Sequence, residues 1–547
     1  MIRTTAVVAV LLAAAFLTAT ALADPWDFVG TNIVASSPVE GGGYPVPAGH
    51  TKPDPGTCRL GDYNSNRSES WLAVKPGTED LVGTSKFFFE TYSTFYMFHL
   101  GSYRILDGAP VDNNQVQGYD CISTGTQDMP PSWTDNTDPN ADFDTHGRVY
   151  QTTLPFNAFW EGGLHPNAEI DVSYSDDMGQ HWVQGNGGKP LEPSNNQNSI
   201  AFGHVQDKQW IAVNHIPGNA NQDHVYAAWA VFNGSAIKIR MAVSRDRGQT
   251  FAPAVTIASP SQVSSGATYV YPAIDAAGDV YVAVVSFPPS GKPSQIYVAR
   301  SDDDGKSFGR WVSAATPGIL PAAGLPNTRF RDGITESFTA SPTHPGHLYV
   351  AYEDWDGTQM DVKLTESTDA GRTWSEPVTV NDNVDPAGSP TDQFQPTVAA
   401  GPNGAVAVAF YDRRLECPDD ESILPADVGR TNFCIDTTLQ AYKDTGSGAE
   451  PVGDNVRISQ FTWDPEQPGQ HVDGISQYAC AGHRDPCPDG RGFIGDYFGL
   501  AISAGNIYSL FVSTHYPSTV IADEGGPVYY QQQVLAKVPR STFGAGY

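Results

Sequence analysis

The chain has 547 residues, 61 acidic against 31 basic, giving a formal charge of −30, with 40% hydrophobic and 11% aromatic residues. Such a balance excludes wholesale disorder. It also disfavours nucleic acid, whose phosphates need Lys and Arg, and adsorption to anionic lipid. High Gly and Pro (54 and 42) beside few charges predict many short strands joined by turns.

Met1 to Ala23 has the form of a secretory signal: Arg3, an apolar run from Ala6 to Leu17, and Ala21-Leu22-Ala23 before Asp24. No later stretch reaches about 18 uninterrupted apolar residues, so a secreted, extracellular chain is expected, read as a monomer. Residues 24–66 read as an N-terminal leader and 67–547 as one domain, with an insertion around 446–490 that is rich in Pro, Gly and Asp. The even cysteine count suits an oxidising compartment. Proximity suggests Cys417 with Cys434, Cys480 with Cys487 and Cys58 with Cys121, one of 15 connectivities. A zinc site is the rival reading, disfavoured because no CxxC is present and the histidines are scattered.

Two repeats organise the chain from residue 67 onward. The first is Ser-x-Asp-x-Gly-x-x-aromatic, at Ser175–Trp182, Ser244–Phe251, Ser301–Phe308 and Ser367–Trp374. The glycine supplies positive φ for a hairpin, the aspartate accepts backbone N–H groups, and the aromatic ties the loop to the sheet. The second is a turn followed by a strand of small and aromatic residues, anchored at Val82, Tyr150, Tyr226, Tyr281, Tyr349, Ala407 and Tyr508. A unit of about 50 to 70 residues repeated in this way predicts an all-β fold, a β-propeller of four-stranded blades. The anchors number seven blades; six is the alternative.

The Ser-x-Asp-x-Gly-x-x-Trp/Phe pattern resembles the Asp-box, or BNR repeat, of the sialidase (neuraminidase) superfamily. The resemblance covers most of residues 67 to 540 and implies that Asp177, Asp246, Asp303 and Asp369 are structural, on the face away from an active site. Counting back from the anchors places Glu69, Asp138, Asp207, Tyr271, Glu336, Gln395 and Tyr497 near the starts of the innermost strands. The family uses a tyrosine nucleophile activated by a glutamate, which implies Tyr497 with Glu336 as its base and Asp138 as acid/base. A phenol avoids the repulsion that a carboxylate nucleophile meets at an anionic sugar. The family's arginine triad implies Arg331, Arg413, Arg414 and Arg491 as binders of a sugar carboxylate. Trp160 and Trp355 are candidates for lining a subsite. No cofactor is expected, although Asp354 and Asp356 could serve a structural Ca²⁺ without EF-hand spacing. The implied activity is a secreted glycoside hydrolase acting on acidic, sialic-acid-like sugars of glycans. The rivals are a non-catalytic propeller binding glycans or proteins, and a polysaccharide lyase or exo-glycosidase on the same scaffold. Tyr103-Arg104-Ile105-Leu106 departs from the Phe/Tyr-Arg-Ile-Pro motif that supplies the family's first arginine.

Overall fold

A computed structural model describes residues 28–36, 67–88, 98–115, 135–156, 168–193, 204–233, 236–263, 266–286, 292–320, 324–328, 330–333, 336–385, 388–417, 432–465, 493–523, 526–529 and 531–547. Seven antiparallel sheets form a ring, each counted as a blade from its innermost strand outward. Six innermost strands are Arg67–Val74, His204–Val213, Ala267–Ile274, Glu336–Ala340, Gln393–Ala400 and Gly499–Ile502. That of blade 2 is split into Asp135–Thr137 and Asp142–Phe143, both paired with Val149–Phe156. The seven-bladed propeller predicted from the anchors is therefore the fold.

All seven anchors fall on second strands, which are the most buried. Val280–Ser286 is buried at every position, as is Ala405–Asp412. Alternating Val, Ala and Tyr suit this place, because a second strand has sheet faces against both neighbouring blades and needs small residues where those faces approach. Burial of each Val or Tyr here contributes roughly 1.5–3 kcal/mol. The resulting core crosses blade boundaries: Trp210, Tyr271, Phe338 and Tyr497, from four blades, belong to one cluster.

Closure is where the expected leader changes. Thr31–Val34 pairs with Gln532–Pro539 as the outermost strand of blade 7, with Ile33 opposite Leu535. The first and last strands of the ring among the described residues thus share one sheet. Asn32 Nδ2 donates to the Ile458 carbonyl at 2.8 Å, and Val29 N to Arg457 at 3.0 Å, fastening that strand to blade 6. The expected insertion also begins too early at 446, since Ala449–Arg457 is the outermost strand of blade 6.

The four Ser-x-Asp-x-Gly repeats form one hydrogen-bonded turn between third and fourth strands. In the third copy, Ser301 Oγ donates to Asp303 Oδ1 at 2.8 Å and accepts from Gly305 N at 3.0 Å. Asp303 then accepts from the Lys306 and Ser307 N–H groups and from Ser307 Oγ at 2.6 Å. Positive φ occurs at two consecutive residues, Asp304 (66°) with Gly305 (74°), and likewise at Met178, Arg247 and Ala370 with their glycines. Trp182 is buried, while Phe251, Phe308 and Trp374 are half-buried between blades. Cys417 and Cys434 form a disulfide; Cys58, Cys121, Cys480 and Cys487 lie outside the described residues.

Candidate functional site

Six blades do the same unusual thing at the axis. Glu69 (φ 50°), Asp138 (58°), Lys208 (51°), Tyr269 (50°), Gln395 (45°) and Gly495 (111°) are left-handed at or just before the innermost strand of blades 1, 2, 3, 4, 6 and 7. In blades 1, 3, 4 and 6 the pairing register shifts at that point, as an inserted bulge residue requires. A left-handed non-glycine residue costs about 1–3 kcal/mol, and such strain concentrates at working sites. Here it repeats around a ring and turns polar side chains toward one centre.

The centre is a buried ionic network. Lys208 Nζ lies 2.9 Å from Asp496, 3.7 Å from Glu69 and 3.9 Å from Asp138. Lys86 Nζ contacts Glu69 at 2.5 Å and donates to Thr137 Oγ1, which donates in turn to Asp138 Oδ1 at 2.8 Å. Arg331 forks onto Asp496 at 2.6 and 3.2 Å and stacks on Phe493, its guanidinium carbon 4.5 Å from the ring centre. Three cations thus meet three acids inside a few ångströms.

This balance sorts the carboxyl groups. Burial raises them all. At Asp496 the charges of Arg331 and Lys208 overcome it and hold the group far below the usual carboxylate range. At Asp138 the charges of Lys208 and Lys86, with the Thr137 hydrogen bond, also overcome burial. The half-buried Asp207 carboxyl hydrogen-bonds Asp138 and goes the other way, pushed up to about 7 by burial and then by the Asp138 charge. Asp332 rises to about 8 through burial and then Asp392. Lys208 stays protonated, because Asp138, Asp496 and Glu69 outweigh its desolvation.

Under the network lies an aromatic layer. Trp210 meets Trp71, Tyr271 and Tyr497 edge-on at 4.6, 4.8 and 5.0 Å between ring centres. It divides the ionic basin from a 210 Å³ cavity at the other end of the axis, lined by residues such as Leu72, Val213, Val398 and Ile502.

Tyr497 sits at this centre, yet its hydroxyl donates to the Pro139 carbonyl at 3.2 Å, not to Glu336. Burial raises its phenol, followed by the charges of Glu69 and Asp138. Glu336 is 1% exposed, and neither of its oxygens has a hydrogen-bond partner among the described residues. Burial raises its carboxyl well above the usual range, and the phenol nearest its influence is Tyr271. The structure therefore does not bring the expected base to the expected nucleophile. The pairings of the strands that follow Tyr497 and begin at Glu336 show no register shift; in the bulged blades 3 and 4 the left-handed residues are Lys208, next to Asp207, and Tyr269, two before Tyr271.

Nor do the expected arginines converge. Arg413 is fully buried and donates to the Pro326 and Asn327 carbonyls at 2.8 and 2.9 Å. Arg414 binds Asp412, Asp382 and Asn455 within its own blade and the one before. Both serve chain architecture, since a guanidinium without water needs several acceptors. Arg331 alone of the described set reaches the centre. Arg491 and Trp160 lie outside the described residues. Trp355 is half-buried at the end of a blade 5 second strand. Asp354 accepts from Gly318 N and Asp356 from the Thr358 and Gln359 N–H groups, so these acids are engaged by turns.

Lys86, Lys208 and Asp496 were missed. A signal was present: Glu69-x-Trp71, Lys208-x-Trp210, Tyr269-x-Tyr271 and Gly495-x-Tyr497 share one spacing, the left-handed residue two before the aromatic layer.

No protein family model and no curated protein sequence matches the chain. Solved structures similar to it include the alpha-L-arabinanase of Penicillium chrysogenum complexed with arabinobiose, 13% identical over 72% of this chain and 92% of that one, TM-score 0.38. The intramolecular trans-sialidase of Ruminococcus gnavus with oseltamivir carboxylate is 12% identical over 90% and 97%, TM-score 0.38. An ulvan lyase of a polysaccharide lyase family is 11% identical over 72% and 81%, also at 0.38.

Proposed function

We propose that the chain is a secreted glycoside hydrolase whose active site is the ionic basin at the axis. The observation that carries this reading is the Asp138–Asp207 pair. Two hydrogen-bonded carboxyl groups have their proton affinities driven apart, one held ionised and the other poised near neutrality. That is the arrangement a proton donor to a leaving oxygen requires. Asp207 donates the proton, Asp138 sets its affinity, and Lys208 holds Asp138 ionised. Tyr497 remains the nucleophile, with Glu69, whose charge acts on it most strongly, in the role first given to Glu336.

Among the described residues the basin has no surplus of positive charge: Lys86, Lys208 and Arg331 are each matched by Glu69, Asp138 or Asp496. A neutral sugar suits it better than sialic acid, which would have to share Arg331 with Asp496. Release of 4-methylumbelliferone from arabinoside, galactoside and sialic acid conjugates tests both points. Hydrolysis of a neutral conjugate is expected, reduced by about 10²–10⁴-fold in Asp207→Asn. Activity on the sialic acid conjugate alone would restore the acidic-sugar reading. Full activity in Asp207→Asn removes the proton donor, and glycan binding without turnover of any conjugate replaces the hydrolase by a binding propeller.

A further inference from the structure

Far from the axis, where the first-to-second-strand turn of blade 5 meets the third-to-fourth-strand turn of blade 6, two histidines close on one aspartate. His344 Nδ1 lies 2.9 Å from Asp444 Oδ2 and His347 Nδ1 3.0 Å from Asp444 Oδ1. One donor atom from each residue falls within 4.8 Å of the others. Asp444 and His347 are buried, whereas the His344 side chain is 32% exposed, leaving a way in. Gly446 (φ 84°) makes room for the imidazole: a Cβ there would stand 3.3 Å from His344 Nε2.

The seam between blades 3 and 4 shows what the place requires. There His224 Nδ1 and Tyr226 OH bind Asp304 Oδ1 at 2.9 and 2.7 Å, and the remaining oxygen, Oδ2, takes the Arg245 guanidinium at 2.6 Å. His347 and Tyr349 occupy the positions of His224 and Tyr226, two residues apart on the same turn and strand. The remaining oxygen of Asp444 has no arginine. It accepts from the Ser341 hydroxyl at 2.9 Å and faces His344 Nδ1. That nitrogen is buried and forms no hydrogen bond among the described residues, despite standing 2.9 Å from a carboxylate.

We propose that His344, His347 and Asp444 bind a divalent ion of the zinc class, which fastens blade 5 to blade 6 in the place of the arginine at the blade 3/4 seam. Two imidazoles and one carboxylate are a borderline-soft donor set, and zinc at roughly 2.0–2.2 Å from each leaves a fourth, water-bound position toward solvent. Both histidines must present a bare ring nitrogen to the ion, as any imidazole ligand does. The role is structural and independent of the glycosidase reading.

Equilibrium dialysis and calorimetry of the full chain with Zn²⁺ test it, with the thermal midpoint followed in parallel. One ion per chain is expected, raising the midpoint, with affinity lost in His347→Ala by more than the roughly 100-fold that changes to a ligand's hydrogen-bonded supports produce. His344→Arg offers Asp444 a guanidinium, as Arg245 does for Asp304 from a different turn, and separates binding from folding. This variant is expected to fold, to ignore Zn²⁺, and to melt no lower than the ion-free wild type. His224→Ala, at the seam completed by Arg245, is expected to bind as the wild type does. Absence of saturable Zn²⁺ binding in the wild type overturns the site, and so does binding left intact by both His344→Arg and His347→Ala.

Discussion

The two ends of the propeller hold carboxylates by opposite means. In the Ser-x-Asp-x-Gly turns, each of Asp177, Asp246, Asp303 and Asp369 is close to solvent, and against slight burial three or four local donors hold it below the ordinary range. At the axis the acids are taken out of water, and distant cations replace local hydrogen bonds. At Asp496 and Asp138 the cations outweigh burial and the acid is ionised; at Asp207, Asp332, Glu336 and Glu69 burial outweighs them and the carboxyl is raised, at Asp207 and Glu69 despite a neighbouring lysine. A turn that satisfies itself can be repeated in any blade. The axial arrangement needs side chains from several blades at once, so it can exist only where the whole ring has closed.

Removing the cation at the hub should expose this dependence most strongly. Lys208→Met leaves Glu69, Asp138 and Asp496 facing one another without their shared ammonium. Breaking a buried ion pair by deleting one partner costs about 3–5 kcal/mol. A urea midpoint lowered accordingly is expected, with activity lost as well because Asp138 is no longer held ionised. An unchanged midpoint would mean that the network contributes nothing to stability.

The pH dependence of stability separates the two ends next. Asp207 and Asp332 titrate at about 7 and about 8 in the fold, against roughly 3.9 in an unfolded chain. Between about pH 4 and 8 the folded state therefore binds more protons than the unfolded one, and these groups make stability fall as pH rises. The turn acids have lowered values, so their contribution is present above about pH 4 and is lost only as pH falls further. Thermal midpoints should peak near pH 4–5 and decline toward pH 8. Asp332→Asn should flatten the decline on the alkaline side and leave the acid side alone; a decline of full size in that variant would place its origin elsewhere.

What could be read from the sequence follows the same division. The turns are local, each contained in eight residues, so Ser301 to Phe308 announces its geometry and the ring follows from its spacing. Cys417 and Cys434, 17 residues apart, were similarly legible. Arg331 and Asp496 are 165 residues apart, and nothing near either one marks the other. Their pairing is a product of closure, and so the arginines expected on a substrate were assigned without their true partners. Thr31–Val34 escaped notice for a related reason. A four-residue strand carrying no repeat signature acquires its place only from the edge that Gln532–Pro539 offers it. At the innermost strands the polar starts were legible, but a bulge is invisible to counting. In the bulged blade 3 the left-handed residue is Lys208, next to Asp207.

The smallest effect is the most informative about the turns. Asp246 accepts at Oδ1 from Thr250 N and Ser244 Oγ, both at 2.8 Å, and at Oδ2 from Thr250 Oγ1 at 2.6 Å. Asp246→Ala removes all three but leaves the exposed donors to water, so about 1–2 kcal/mol is expected, as for loss of a helix cap. Asp246→Asn keeps one carbonyl acceptor for the Oδ1 pair and should lose less. Because the Asp246 and Asp369 turns lie in blades 3 and 5 and share no hydrogen-bond partner among the described residues, the losses in Asp246→Ala and Asp369→Ala should add within about 0.5 kcal/mol in the double variant. Asp303→Ala offers the contrast with Asp369→Ala: Ala370 donates to Gly346 of its own blade, whereas Asp304, like Arg247 beside Asp246, ties its turn to the preceding blade, here to His224 and Arg245 of blade 3. Disturbing it should loosen the seam as well as the hairpin. A loss at Asp303 greater than at Asp369, measured by urea midpoints, would show that even a local turn carries load for the ring once a neighbouring blade is bonded to it; equal losses would confine each turn to its own blade.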